Sequence, residues 1–286
     1  MTQADIDAVV GQFRQAARNA MLAGFDGIEL HAANGYLINQ FLDSESNTRT
    51  DGYGGSLENR LRFLKEVTEA VCSEIGADRV GVRLAPLTTL NGTVDANPQE
   101  TYLAAARLLG RLDVVYLHIA EADWDDAPLM AEGFKQGLRD AFPNTLIYAG
   151  KYDGERARAA LEAGWADMIG FGRPFVANPD LPERLRHGYP LAPHDPATLF
   201  GGGEKGLIDY PTYQAAPSPT RPESHPPRHK KTRPPSLVGA SFSACHACRR
   251  RRLMEADPVA GGVASDLPGQ PRLVGQAQPA RLHRVQ

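Results

Sequence analysis

Cysteine is scarce in this chain: Cys72, Cys245 and Cys248 are the only three in 286 residues. Three thiols are too few for a disulfide framework and agree with a reducing compartment. No apolar run approaches the roughly 18 residues that a membrane span requires. The opening Met1-Thr2-Gln3-Ala4-Asp5 also lacks the basic segment and apolar stretch of a secretory signal. These absences point to a soluble protein in the cytoplasm. What is present is ordinary for such a protein, with 42% hydrophobic and 23% charged residues. The length allows one sizeable core, or one modest domain with appendages.

The formal net charge of −3 conceals two different materials. Residues 1–213 carry 19 basic and 30 acidic side chains, whereas residues 214–286 carry 12 basic and 4 acidic ones. An acidic first part disfavours a polyanionic partner such as nucleic acid. The second part strings Pro217, Pro219, Pro222, Pro226, Pro227, Pro234 and Pro235 among basic residues with no apolar period. Such a segment cannot bury enough surface to offset its ordering entropy, so 214–286 is expected to be a disordered, basic, Pro-rich tail. Within it, Cys245-His246-Ala247-Cys248 before Arg249 to Arg252 has the outline of a zinc cluster. Two cysteines with scattered histidines do not make the four ligands that zinc needs, and no metal site is assigned. The arginine run could hold nucleic acid only nonspecifically.

The first part alternates. Apolar residues at three- and four-residue spacing from Ile6 to Met21 predict a helix, with Thr2 and Asp5 as its capping pair. Gly27-Ile28-Glu29-Leu30-His31 reads as a strand, followed by an irregular stretch over 43–56. Helices are then expected near 57–74, 98–109, 132–141, 154–163 and 181–187. Strands are expected over 79–85, 113–120, 145–149 and 167–171. Five strands alternating with helices imply right-handed βαβ units and a parallel sheet. In such folds ligands bind at the C-terminal ends of the strands. His31, Asn34 and Tyr36 follow the first strand, Arg83 lies in the second, Gly150-Lys151 follow the fourth and Gly172-Arg173 the fifth. Glycines there let backbone N–H groups approach phosphate oxygens, and an arginine adds a bidentate cation. His118 reads as a satisfied core residue, Asp123, Asp125 and Asp126 around Trp124 as a solvated loop, and Cys72 as a small core hydrophobe.

A longer pattern runs through the same residues. His31-Ala32-Ala33-Asn34-Gly35-Tyr36-Leu37, Gln40-Phe41-Leu42, Asn47-Thr48-Arg49-Thr50-Asp51 and Tyr53-Gly54-Gly55-Ser56 come first. Glu58-Asn59-Arg60, Val82-Arg83-Leu84-Ala85-Pro86, Gly170-Phe171-Gly172-Arg173-Pro174 and Asn178-Pro179-Asp180-Leu181 follow in order. The whole resembles the Old Yellow Enzyme family of FMN-dependent ene reductases, over roughly 1–213. The resemblance implies a (β/α)8 TIM barrel, of which this chain holds about five βα units. FMN would be the cofactor and NADH or NADPH the reductant. The substrate would be a small α,β-unsaturated carbonyl or nitro compound.

In the family, the residues matching His31 and Asn34 hydrogen-bond the activating group of the substrate, and the tyrosine matching Tyr36 protonates the α-carbon. Arg83 matches an arginine against the flavin ring, where a fixed cation favours the reduced, anionic flavin. Gly150, Gly172 and Arg173 match the phosphate-binding positions, with Lys151 beside them where a smaller residue is expected. Tyr210-Pro211-Tyr213 resembles a lid over the substrate pocket. Family members also place three βα units before the helix with which this chain begins. The resemblance therefore implies a partial barrel with two unpaired edges, prone to self-association. Two readings stay open: an ene reductase, or an inactive remnant that retains no flavin.

Overall fold

The computed structural model describes residues 1–121, 128–200 and 203–214. Helix α1 (Gln3–Leu22) begins with the expected capping box, in which Thr2 Oγ1 accepts from the Asp5 N–H and the Asp5 carboxylate accepts from the Thr2 N–H. Strand β1 (Ile28–Ala32) and the short helix α2 (Leu37–Leu42) follow. Next come α3 (Leu57–Ile75), β2 (Val80–Leu84), α4 (Pro98–Arg111) and β3 (Tyr116–Ala120). After them lie α5 (Glu132–Ala141), β4 (Thr145–Ala149), α6 (Gly154–Glu162) and β5 (Met168–Gly170). Helices α7 (Arg173–Ala177) and α8 (Leu181–His187) end the succession.

The five strands form one parallel sheet in the order β1-β2-β3-β4-β5. The order never reverses, so same-handed crossovers place every connecting helix on one face, as in a (β/α) barrel and unlike a doubly wound sheet. Among the described residues β1 pairs only with β2, and β5 only with β4. On the face turned to the helices, Leu30, Val82, Leu84, Leu117, Ile119, Leu146 and Tyr148 join Phe63, Leu64, Val67, Leu109 and Leu138 in one buried cluster. Each fully buried aliphatic chain there stabilises by about 1.5–3 kcal/mol. Cys72 packs half-buried against that cluster, as a small hydrophobe does. Burial, aided by the Glu69 charge, pushes its thiol up to about 11.

Three expectations change in detail. The third strand starts at Tyr116 rather than at 113, because Asp113 adopts a left-handed turn at φ 55° that delays entry into the ladder. Helices α2 and α7 were not anticipated; six and five residues are too few to display a helical period. His118 is not fully satisfied: Nδ1 meets Glu29, but the buried Nε2 has no hydrogen-bond partner. The acidic loop around Trp124, Cys245 and Cys248, and the tail beyond Gln214 all lie outside the described residues. Among the described residues no helix is long and apolar enough to cross a membrane.

Candidate functional site

The face of the sheet turned away from the helices is polar. Register places His31 beside Arg83, Arg83 beside His118, and His118 beside Ile147, forming one row across β1 to β4. His31 lies open at this face, and its imidazole is held below the ordinary histidine value. Partial burial is the larger cause; the Arg83 cation adds to it and Glu29 opposes it. At neutral pH the ring is therefore neutral, able to donate one hydrogen bond. Arg83 is half-buried, and its Nε has no hydrogen-bond partner.

The turn after β1 carries Asn34 and Tyr36, and side chains from elsewhere fix it. Asn34 and Gly35 both adopt left-handed backbone, φ 58° and 74°. Asparagine and glycine tolerate that region where most residues do not. The Gly35 N–H donates to Asn39 Oδ1 (3.0 Å), and Gln40 Nε2 donates to the Gly35 carbonyl (2.8 Å). Asn91 Nδ2 donates to the Asn34 carbonyl at 2.9 Å, tying the turn to the loop after β2. Asn39 is itself held by the Tyr102 hydroxyl on α4 at 2.9 Å. The outcome is that the Tyr36 ring, 51% exposed, stands 5.0 Å from the His31 ring between centroids. His31, Asn34, Tyr36 and Arg83 are thus brought to one edge.

The loops after β4 and β5 leave the sheet side by side, since Ala149 pairs with Gly170. Gly150 takes φ 118°, and a Cβ there would collide with the Glu121 backbone. Lys151, exposed, follows in left-handed backbone at φ 51°. Arg156 pins this loop: Nη1 donates to the Gly150 and Lys151 carbonyls at 3.0 and 3.1 Å, and the guanidinium lies 4.2 Å over the Tyr152 ring. Buried Glu121 anchors Arg156 by an ion pair and accepts from Lys135 Nζ at 2.8 Å. Gly172 is exposed, with nothing within 4 Å of where a Cβ would stand, and Arg173 opens α7 directly after it. Tyr213 stacks on Tyr189 at 4.4 Å and its N–H donates to Asp180, so its contacts attach it to α8.

Small residues close the strand ends: Ala33 and Ala85, directly after β1 and β2, and Ala120, the last residue of β3, form a separate buried cluster. The sequence pattern assigns no role to them, nor to Glu29, Asn39, Asn91, Glu121 and Arg156. The arrangement offers hydrogen-bond donors, a fixed cation, a phenol and two glycine-containing loops around a mouth lined by small side chains.

Residues 1–192 match the family model described as the NADH:flavin oxidoreductase / NADH oxidase family. The chain belongs to that family. Within it, 12-oxophytodienoate reductase 2 of Arabidopsis thaliana is 41% identical over 214 residues, covering 74% of this chain and 57% of the relative. Among solved structures, morphinone reductase in complex with tetrahydroNAD is 47% identical with a TM-score of 0.71, covering 75% of this chain and 58% of that one. An old yellow enzyme homologue from Zymomonas mobilis is 41% identical with a TM-score of 0.70, covering 74% and 61%. The chain therefore spans a little over half the length of these relatives. The Old Yellow Enzyme resemblance is thereby confirmed, and the five-stranded sheet is the corresponding part of a family TIM barrel.

Proposed function

We propose that this chain carries the catalytic edge of an FMN-dependent NAD(P)H oxidoreductase of ene-reductase type. The observation that carries the reading is the row His31–Arg83, with Asn34 and Tyr36 held beside it by a braced turn. The site suits a flavin on three counts. The Arg83 cation leaves a buried N–H unpartnered, the strand ends are small, and the loops at Gly150 and Gly172 emerge as neighbours. Arg83 would lie against the ring, while Gly150, Lys151, Gly172 and Arg173 would hold the phosphate. When bound, FMN would supply a hydride drawn from NADH or NADPH. The complex of morphinone reductase with tetrahydroNAD supports a nicotinamide reductant.

The chain's own groups act on the substrate. His31, neutral at pH 7, and Asn34 donate hydrogen bonds to the carbonyl or nitro oxygen, stabilising the negative charge that develops there when the β-carbon accepts hydride. Tyr36 gives its phenolic proton to the α-carbon, a transfer that a weak acid on an exposed turn can make and then recover from solvent. Tyr213 would border the substrate from α8.

The competing reading, a chain that retains no flavin, draws on the outer edges of β1 and β5, which have no partner strand among the described residues and so also favour self-association. Titration of the full chain with FMN, followed by quenching of flavin fluorescence, separates the two: saturable uptake supports the enzyme, and none by a compact chain rejects it. In the flavin-bound protein, Tyr36→Phe should leave reduction by NAD(P)H intact and slow alkene reduction by about 10²–10⁴-fold. Equal loss of both half-reactions would reject the proton-donor role.

A further inference from the structure

Below the row of His31, Arg83 and His118 lies a hydrogen-bonded group that the proposed reaction does not use. Glu29 on β1 and Tyr116 on β3 occupy the same register level, with Gly81 of β2 between them. A Cβ on Gly81 would collide with the Tyr116 ring, so the glycine leaves the space that the ring fills. Across that gap Glu29 accepts a hydrogen bond from Tyr116, and its Oε2 stands 3.0 Å from His118 Nδ1. The carboxylate is thus tethered to β3 at two points. It sits two residues before His31 on the same face, about 7 Å along the strand. At these levels β4 and β5 contribute Thr145, Ile147 and Met168, which add no charge. Among the described residues, Glu29, His31, Arg83 and His118 are therefore the charged and titratable groups facing one another, with the Tyr116 hydroxyl beside them and the Tyr36 ring against His31.

We propose that Glu29 is a positioning residue whose carboxylate, tethered by His118 and Tyr116, partly offsets the Arg83 cation and so sets the proton affinity of His31 and the field at the mouth of the barrel. Burial alone would raise the Glu29 carboxyl, but its hydrogen bonds with His118 and Tyr116 and the Arg83 charge outweigh that and keep it ionised at neutral pH. A side chain 31% exposed is partly screened by water, so the effect is moderate rather than dominant. The consequence for a bound flavin rests on the proposed function. A negative charge behind Arg83 makes the site less favourable to an anionic reduced ring, and its removal makes reduction easier.

The first readout needs no cofactor. In the full chain, titration of His31 followed by NMR should show its midpoint fall by about half a unit or more in Glu29→Gln, because the anion that favoured imidazolium is gone. Tyr116→Phe, which keeps the charge, should move it much less. Where the glutamine variant does not fold, Glu29→Asp, which withdraws the charge by one methylene, should give a smaller downward shift. An unchanged His31 midpoint in a folded variant overturns the proposal. With FMN bound, Glu29→Gln should raise the flavin midpoint potential relative to the parent, and a fall would equally overturn it. If the parent chain takes up no FMN, the functional reading fails, whereas the His31 shift still decides whether Glu29 sets the charge balance.

Discussion

On one side of the sheet Leu30, Val82, Leu84, Leu117, Ile119, Leu146 and Tyr148 are buried to 3% or less. On the other, Glu29, His31, Arg83, Tyr116 and His118 all retain some exposure. The two sides alternate residue by residue along the same strands, so each strand serves both. The helix side gains its stability from apolar area and close packing, and among the described strand residues it holds one unpartnered buried polar atom, the Tyr148 hydroxyl. The open side carries two, Arg83 Nε and His118 Nε2, which a protein built for stability alone would pair or replace. The division of labour teaches where substitutions should be felt: on one side in folding, on the other in chemistry.

The largest expected effect comes from the helix side. Leu117→Ala removes a fully buried chain from the centre of the sheet and should cost about 2–5 kcal/mol, read as a lower urea midpoint at unchanged m-value. On the neighbouring strand, Arg83→Leu should shift the same midpoint far less, while abolishing tight FMN uptake if the proposed function holds. Equal losses of stability in the two variants would mean that the open side is as much a structural core as the other.

The turn between the two sides should give an intermediate effect. Gly35→Ala forces a side chain onto backbone at φ 74° and places its Cβ 2.5 Å from the Leu90 carbonyl and 2.7 Å from Thr93 Oγ1. A cost of about 1–3 kcal/mol is expected. The turn must also shift, so the Tyr36 ring should lose its place beside His31, visible as a changed ring-current shift on the His31 protons. A variant that loses stability but keeps that shift would show the turn to be less tightly braced than its hydrogen bonds imply.

How much of this was legible beforehand differs between the sides as well. The helix side follows from periodicity: all five strands and their longer helices are recoverable from apolar spacing, to within three residues at each end. His31, Asn34, Tyr36 and Arg83 were legible as polar groups near strand ends, and as a family signature. What reading along the chain missed is long-range. Asn39 meets Tyr102 across 63 positions and Asn91 meets Asn34 across 57, partnerships that no local pattern encodes. Glu29 was within reach, since Ile28, Leu30 and Ala32 face one way and Glu29 with His31 the other, a period of two inside a run treated as simply apolar. His118 was misjudged because a histidine in a core strand is usually satisfied, and here the missing partner of Nε2 faces the open side.

The smallest effect is a matter of pH. The folded His31 is held below 6.5, first by partial burial and then by Arg83, whereas the unfolded chain titrates at the ordinary value. Between those two values the unfolded state binds more protons than the folded one, so stability rises with pH through that window and is fully present above it. As pH falls from about 6.5 toward the depressed folded value, this contribution is lost. His31→Ala should therefore flatten the dependence of the urea midpoint on pH just below 6.5, with little change at pH 8. The exposure of the ring keeps the difference small, so it must be read as the parent-minus-variant slope rather than as an absolute midpoint. A parent-minus-variant slope of the opposite sign through this window would mean that Glu29, not burial and Arg83, dominates the imidazole.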